Sequence, residues 1–220
     1  MYLSKIELRR SAAERPEFWR NLADPYGFHK LLWQLFSDSP QRQRDFIYRQ
    51  EDRVAYTVSQ RPPRTASDAW RVRVKPYQPR LRPGQRLRFM LRANPVVSRR
   101  DQDGRQHRHD VVMDAKRALR EQGLAREKWP PLPDLVQGAC ARWLAARGQA
   151  HGYELDADRL VVERYRQLRF PKKRHAVSVS VADLRGVLEV KDPERLIAML
   201  GSGLGPAKGF GCGLMLIKAA

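Results

Sequence analysis

The sequence predicts an α+β protein in which the order strand, helix, strand, strand, helix, strand runs twice. Three observations carry this. Strand-like and helix-like runs alternate in that order along the chain. The pattern restarts after a turn-rich stretch, RLRPGQ at 80–85. A glycine-dense stretch, GSGLGPAKGFGCG at 201–213, follows a helical segment and runs straight into a strand.

Residues 2–8 (YLSKIEL) alternate, with Ile6 and Leu8 set against Lys5 and Glu7, as in a half-buried strand. Residues 16–24 (PEFWRNLAD) read as a short helix with Pro16 at its first position. From Tyr26, YGFHKLLWQLFSDS puts Phe28, Leu31, Leu32, Leu35 and Phe36 on one helical stripe. Tyr26, His29 and Lys30 cluster at its start, and Tyr26 and His29, three apart, share a side. Residues 38–43 form a turn. DFIYRQ (45–50) and VAYTVSQ (54–60) then make a hairpin around EDR. Pro62 and Pro63 break the pattern, and ASDAW leaves room only for a stunted second helix. WRVRVKP (70–76) alternates Trp70, Val72 and Val74 with Arg71, Arg73 and Lys75, giving one apolar and one basic face. This is a ferredoxin-like (RRM-like, βαββαβ) unit with a degenerate second helix.

The N-terminal domain is placed at 1–80, a linker at 81–85 and the C-terminal domain at 86–220. In the latter, 86–97 (RLRFMLRANPVV) reads as a strand and the charged 98–109 as a loop. Residues 114–122 read as an inserted short helix, 129–133 as a proline-rich connection, and 134–147 as a helix with Leu135, Ala139, Trp143 and Ala146 toward one side. Two long strands follow at 160–170 and 176–190, joined by PKKRH. Residues 192–200 form a helix with Asp192 as N-cap and Pro193 at its first position. The glycine stretch and a strand at 214–218 close a second βαββαβ unit. Two tandem ferredoxin-like domains are therefore expected.

Of the 220 residues, 42% are hydrophobic, enough for a core, but 43 Lys and Arg against 24 Asp and Glu leave a net charge of +19. The excess is +7 over residues 1–80 and +12 over 81–220. Such a surface asks for a polyanion. Nucleic acid is the default, since the arginine fork suits phosphate oxygens and base edges. No apolar run is long enough to span a membrane, and the N-terminus reads as a strand instead of a signal peptide, so a cytoplasmic protein is expected. Cys140 and Cys212 imply no disulfide, and no metal-ligand spacing occurs among His29, His107, His109, His151 and His175. No metal or other cofactor is expected.

Three stretches bear on chemistry. The six glycines of 201–213 let backbone N–H groups approach a phosphate, or let backbone pack on backbone, beyond what turn formation alone needs. The stretch has no GK[ST] ending and enters a strand, so it is neither a Walker loop nor a dinucleotide fingerprint. His29 sits beside Tyr26 and Lys30 in the first turn of its helix, where the helix N-terminus attracts anions and suits a neutral base. The bland alternative is a surface histidine. Lys172, Lys173 and Arg174 at the PKKRH tip can enter an RNA groove or form a solvated turn, and Arg71, Arg73, Lys75, Arg166 and Arg169 could extend a phosphate-contacting surface.

Four segments in order, MYLSKIEL, YGFHKLLWQLF, LRFMLRANPV and GLGPAKGFGCGLMLI, resemble the CasE family, the CRISPR repeat-processing endoribonucleases of type I-E Cascade complexes. The resemblance spans essentially the whole chain. It implies two tandem ferredoxin-like domains that bind the repeat stem-loop RNA. It implies one metal-independent cut on the 3′ side of the stem base, leaving a 2′,3′-cyclic phosphate and a 5′-hydroxyl. It also implies retention of the hairpin product within a complex of other Cascade subunits. By the same resemblance the catalytic histidine and the tyrosine three residues before it are His29 and Tyr26. A lysine of the basic hairpin, Lys172 or Lys173, lies near the scissile phosphate, with Arg169 and Arg174 beside it. Gly203, Gly205, Lys208 and Gly209 of the glycine stretch and Lys30 are expected RNA contacts. The alternative is a non-catalytic RNA-binding subunit of the same complex.

Overall fold

Two four-stranded antiparallel sheets, each accompanied by helices, make this an α+β fold. The computed structural model describes residues 1–22, 24–39, 41–64, 68–101, 103–172 and 175–220, with 170–172 and 175–177 described by backbone alone. The chain divides into two units: Met1–Arg80 with Leu168–Val179 and Ile197–Met215, and Leu81–Gln167 with Ser180–Leu196 and Leu216–Ala220. The glycine stretch, which the sequence reading placed with residues 86–220, thus clusters with the first unit.

In the first unit the order is β1 (Tyr2–Leu8), α1 (Arg10–Ala13), α2 (Pro16–Leu22), α3 (Pro25–Trp33), β2 (Phe46–Glu51), β3 (Val54–Ser59) and β4 (Trp70–Pro76). The sheet order is β2-β3-β1-β4, and every neighbouring pair is antiparallel. Alternation in β1 buries Ser4, Ile6 and Leu8. Register then decides which side chains share that face. Ile6 lies opposite Ala55 and Val72, and Leu8 opposite Trp70. Helix α3 lays Phe28, Leu31 and Leu32 on this face, and Leu35 and Phe36 continue the packing in the turn beyond the helix. Phe46 and Tyr48 of β2 complete the core. Arg71, Arg73 and Lys75 line up with Glu7, Lys5 and Leu3, so they occupy the other face. The apolar side of β4 runs out of cover at Val74, which is 40% exposed. Among the described residues between β3 and β4 none is helical; residues 66 and 67, where the stunted second helix is expected to start, lie outside the described residues.

The second unit contains β5 (Arg86–Ala93), β6 (Val96–Arg100), β7 (Gln106–Asp110), α4 (Val111–Glu121), α5 (Leu132–Ala145) and α6 (Gly148–His151). Four later elements, β8 (Tyr153–Lys172), β9 (His175–Val190), α7 (Pro193–Ser202) and β10 (Met215–Ala219), have residues in both units. The sheet order is β10-β5-β9-β8. Leu87, Phe89, Leu91 and Ala93 are buried on one side of β5, as their alternation predicts.

Two expectations are corrected. Residues 98–109 are not a loop: β6 and β7 pair as a hairpin with Val96 opposite Asp110 and Arg100 opposite Gln106. Its strands are mostly exposed on both faces, so no hydrophobic alternation marked them. The strand predicted for 86–97 is broken between Ala93 and Val96 by Asn94 and Pro95, since proline has no N–H for the ladder. Asn94 turns inward, and its Nδ2 donates to the Ser180 carbonyl at 2.6 Å.

Candidate active site on the first unit

Helix α3 is started by Asp24, whose carboxylate accepts from the N–H groups of Tyr26 (3.2 Å) and Gly27 (2.8 Å), with Pro25 at the first helical position. This corrects the electrostatic reading of His29. The helix begins one residue earlier than expected, His29 falls in its second turn, and the free amides of the first turn already hold a carboxylate. Those amides are therefore not open to an outside anion.

His29 is half-buried among rings. Phe46 stacks at 5.9 Å, Tyr48 at 6.1 Å with 15° between planes, and Trp33 lies at 6.1 Å. These contacts set the plane of the imidazole. An open groove of about 480 Å³ lies beside it, lined by Tyr26, His29, Lys30, Trp33, Gln43 and Arg44. Tyr26, His29 and Lys30 therefore do converge. Lys30 holds its ammonium 5.1 Å from the centre of the Tyr26 ring. No carboxylate is among the lining residues, so the groove is cationic.

The glycine stretch meets β2, the edge strand of the first sheet. Gly203 is buried, and a Cβ there would lie 3.1 Å from Ile47 Cδ1 and 3.2 Å from the Gly213 carbonyl. At Gly211 a Cβ would lie 3.2 Å from the Tyr48 ring. Ile47 and Tyr48 point to opposite faces of β2, so the stretch wraps the strand's edge. Between these anchors Lys208–Phe210 form a 3-10 turn, entered from Ala207 in the left-handed region (φ 60) and left through Gly211 (φ 77). The Tyr48 hydroxyl donates to the Gly209 carbonyl at 3.1 Å. The Nη1 of Arg44 lies 3.0 Å from where a Gly209 Cβ would be.

A sequence model of the family described as CRISPR associated protein matches residues 1–219. The CRISPR-associated endoribonuclease Cse3 of Thermus thermophilus is 30% identical over 234 aligned positions, covering 99% of both chains. The chain belongs to the CasE/Cse3 family. The CRISPR system Cascade subunit CasE of Escherichia coli K12 is 29% identical over 98% of both chains. A solved structure of Thermus thermophilus Cse3 bound to an RNA representing a pre-cleavage complex aligns with a TM-score of 0.73 at 26% identity, covering 99% of this chain and 98% of that one. The CasE/Cse3 resemblance read from the four sequence segments is thereby borne out.

Other residues singled out from the sequence fall in several places. Arg71, Arg73 and Lys75 are exposed, but on the sheet face opposite α3 and the groove. Arg169 is exposed on β8 within the first unit, and Arg166 is half-buried on β8 within the second. Lys172 ends β8 and is described by backbone alone, while Lys173 and Arg174 lie outside the described residues. Gly203 serves packing, whereas Gly205, Lys208 and Gly209 are half-buried. His107 is bonded to Asp101 at 2.7 Å in the second unit. Among the described residues no group of three His, Cys, Asp or Glu is placed to hold a metal ion, and no helix is long and apolar enough to cross a membrane.

Sequence reasoning missed Arg44, Gln43, Trp33, Phe46 and Tyr48. Arg44 lay in QRQRD, whose first residues read as a turn, with nothing to separate one arginine from another. The period-two pairing of Phe46 with Tyr48 on a strand following the helix was the one available signal for the aromatic wall.

Proposed function

We propose that this chain is an endoribonuclease that binds the stem-loop of a CRISPR repeat and cuts precursor CRISPR RNA once, on the 3′ side of the stem base. Family membership supports ribonuclease work on CRISPR RNA. The observation that carries the catalytic reading is the convergence of Tyr26 and His29 in a groove whose charged lining, Lys30 and Arg44, is wholly cationic. The strand orders β2-β3-β1-β4 and β10-β5-β9-β8 both fit the βαββαβ connection, which supports two tandem ferredoxin-like domains as the scaffold.

The chemistry needs no outside reactant. His29 takes the proton of the 2′-hydroxyl, and the 2′-oxygen forms a bond to the adjacent phosphorus. The bond from phosphorus to the 5′-oxygen breaks, and that oxygen receives a proton. The products are a 2′,3′-cyclic phosphate and a 5′-hydroxyl, with one proton removed and one returned. Tyr26, on the same helix side and groove, orients the 2′-hydroxyl or serves the departing oxygen. Cations around the phosphorus stabilise the charge that gathers there, from the groove and from the basic sequence RFPKKR at 169–174. The ring wall around His29 keeps the imidazole aligned for transfer. The cut hairpin stays bound, and protein and RNA together join a Cascade assembly, as the name of the Escherichia coli relative suggests.

The test is incubation of purified protein with a labelled cognate repeat in EDTA, beside a repeat with a 2′-deoxy sugar before the cut. A single cut at the stem base, abolished by the deoxy sugar, is expected. Tight binding without any cut would make the chain a non-catalytic RNA-binding subunit.

A further inference from the structure

Arg44, which lines the groove beside His29, has a second cation from a distant part of the first unit as a neighbour. Arg44 comes from the segment between α3 and β2 and lines the groove. Lys208 comes from the glycine stretch. Its neighbour Gly209 is fastened to β2 by the Tyr48 hydroxyl at 3.1 Å and abuts the Arg44 guanidinium. Arg44 is exposed as a residue, yet its head is partly desolvated, which lowers its pKa, while the Tyr48 phenol acts the other way. Lys208 is lowered by desolvation first and by the charge of Arg44 second. Among the described residues neither is in an ion pair. Holding two like charges close and partly dry costs free energy that an anion placed between them and the groove would restore.

Resting on the ribonuclease reading above, we propose that Arg44 and Lys208 form a two-cation subsite for the reacting phosphate, matched to a dianion. Charge counting selects the species. The phosphodiester of uncut RNA carries one negative charge, and so does the cyclic phosphate product. The five-coordinate phosphorus of the transition state carries two. So does the 3′-phosphate left when one water opens the ring, since its second pKa is about 6. A site with two positive charges therefore favours the transition state over the ground state, which is what accelerates a reaction. It also holds a phosphate-ended hairpin more tightly than a hydroxyl-ended one, a direct cause for product retention. The subsite uses neither Lys172 nor Lys173.

The experiment uses the full chain as wild type, Arg44→Gln, Lys208→Gln and the double variant, each with its melting temperature measured. Two readouts are taken. One is single-turnover cleavage of a cognate repeat, beside affinity for the same repeat blocked by a 2′-deoxy sugar. The other is affinity for the cut hairpin ending in a 3′-hydroxyl, a 2′,3′-cyclic phosphate or a 3′-phosphate. Wild type should hold the 3′-phosphate about tenfold more tightly than the 3′-hydroxyl, with the cyclic phosphate between. In the double variant the three ends should bind alike. Its cleavage should fall by about a hundredfold or more while affinity for the blocked repeat falls by about tenfold at most. A double variant that cuts at the wild-type rate, or keeps the preference for a phosphate end, overturns the subsite. If the double variant does not fold, the single variants carry the same two readouts, each with part of the effect. Absence of cutting by wild type would instead fail the ribonuclease reading, and the end-group comparison alone would then decide the subsite.

Discussion

Replacing Tyr48 by phenylalanine removes one atom and tests how the glycine stretch is held at the groove. Tyr48 is 1% exposed, and its ring packs against His29, Phe28 and Phe46 with centroids 6.0–6.2 Å away. Phenylalanine keeps all three contacts. What is lost is the 3.1 Å bond to the Gly209 carbonyl, with the Pro25 carbonyl 3.4 Å from the same oxygen. A hydrogen bond of this kind contributes about 0.5–1.5 kcal/mol net, and an acceptor left buried and unpaired costs about 1–3 kcal/mol. Gly209 is half-buried, so water can reach its carbonyl after the substitution, and the lower range applies. Urea unfolding should therefore show a loss of about 0.5–1.5 kcal/mol with an unchanged slope. If the hydroxyl acts only as a tether, cleavage of a repeat RNA can fall by no more than that free energy allows, roughly twofold to roughly twelvefold. A fall beyond a hundredfold would place the phenol in the chemistry itself. No change in either stability or cleavage would mean that the bond holds nothing, and the reasoning would be refuted.

Two further predictions concern the same region. Gly213→Ala places a side chain at φ +96 with its Cβ 3.0 Å from the Leu204 carbonyl, a backbone atom that cannot rotate away. Left-handed strain and overpacking together should cost about 2–4 kcal/mol, read from the urea midpoint; a cost below about 1 kcal/mol would contradict the close approach. Lys208 has its folded pKa lowered below 10.5 by desolvation and by Arg44, so its charged form burdens the folded state. That burden is fully present below the lowered value and is relieved as pH rises through it toward 10.5. Lys208→Met should accordingly raise the urea midpoint of the RNA-free protein at pH 7, and the gain should shrink as pH approaches 10.5. A gain independent of pH would point to packing instead of charge.

Much of the scaffold could be read from periodicity, because its strands are half-buried. Ile6 and Leu8 against Lys5 and Glu7, and Trp70 and Val72 against Arg71 and Arg73, alternate in the sheet as they do in the sequence. The stripe from Phe28 to Phe36 is buried although the helix stops at Trp33, since the turn beyond it still faces the core. Patterns failed where neither face is buried. Beyond Val96 and Val97 the β6–β7 hairpin is polar on both faces and has no apolar side to announce it, and β8 begins seven residues earlier than expected, in the polar YELDADR. Tyr26, His29 and Lys30 were legible as a group because helical spacing puts them together. Arg44 and Tyr48 were not, since only the packing of the first unit brings Arg44 to the groove and the Tyr48 ring against His29. The place of the glycine stretch was likewise a matter of tertiary structure. Its left-handed turns were readable from the glycines, while its anchor on β2 depends on Ile47 and Tyr48, more than 150 residues away.

In the ribonuclease proposed above, His29 moves a proton in the cutting of repeat RNA. The most direct measurement is His29→Ala, assayed for single-turnover cleavage and for equilibrium binding of the same cognate repeat in one buffer. Cleavage should fall by about a hundredfold to ten-thousandfold, the usual range for losing a positioned general base, with affinity changed by less than about threefold. Cleavage that persists, or cleavage and affinity that fall together, would contradict it and return His29 to a structural place among Trp33, Phe46 and Tyr48.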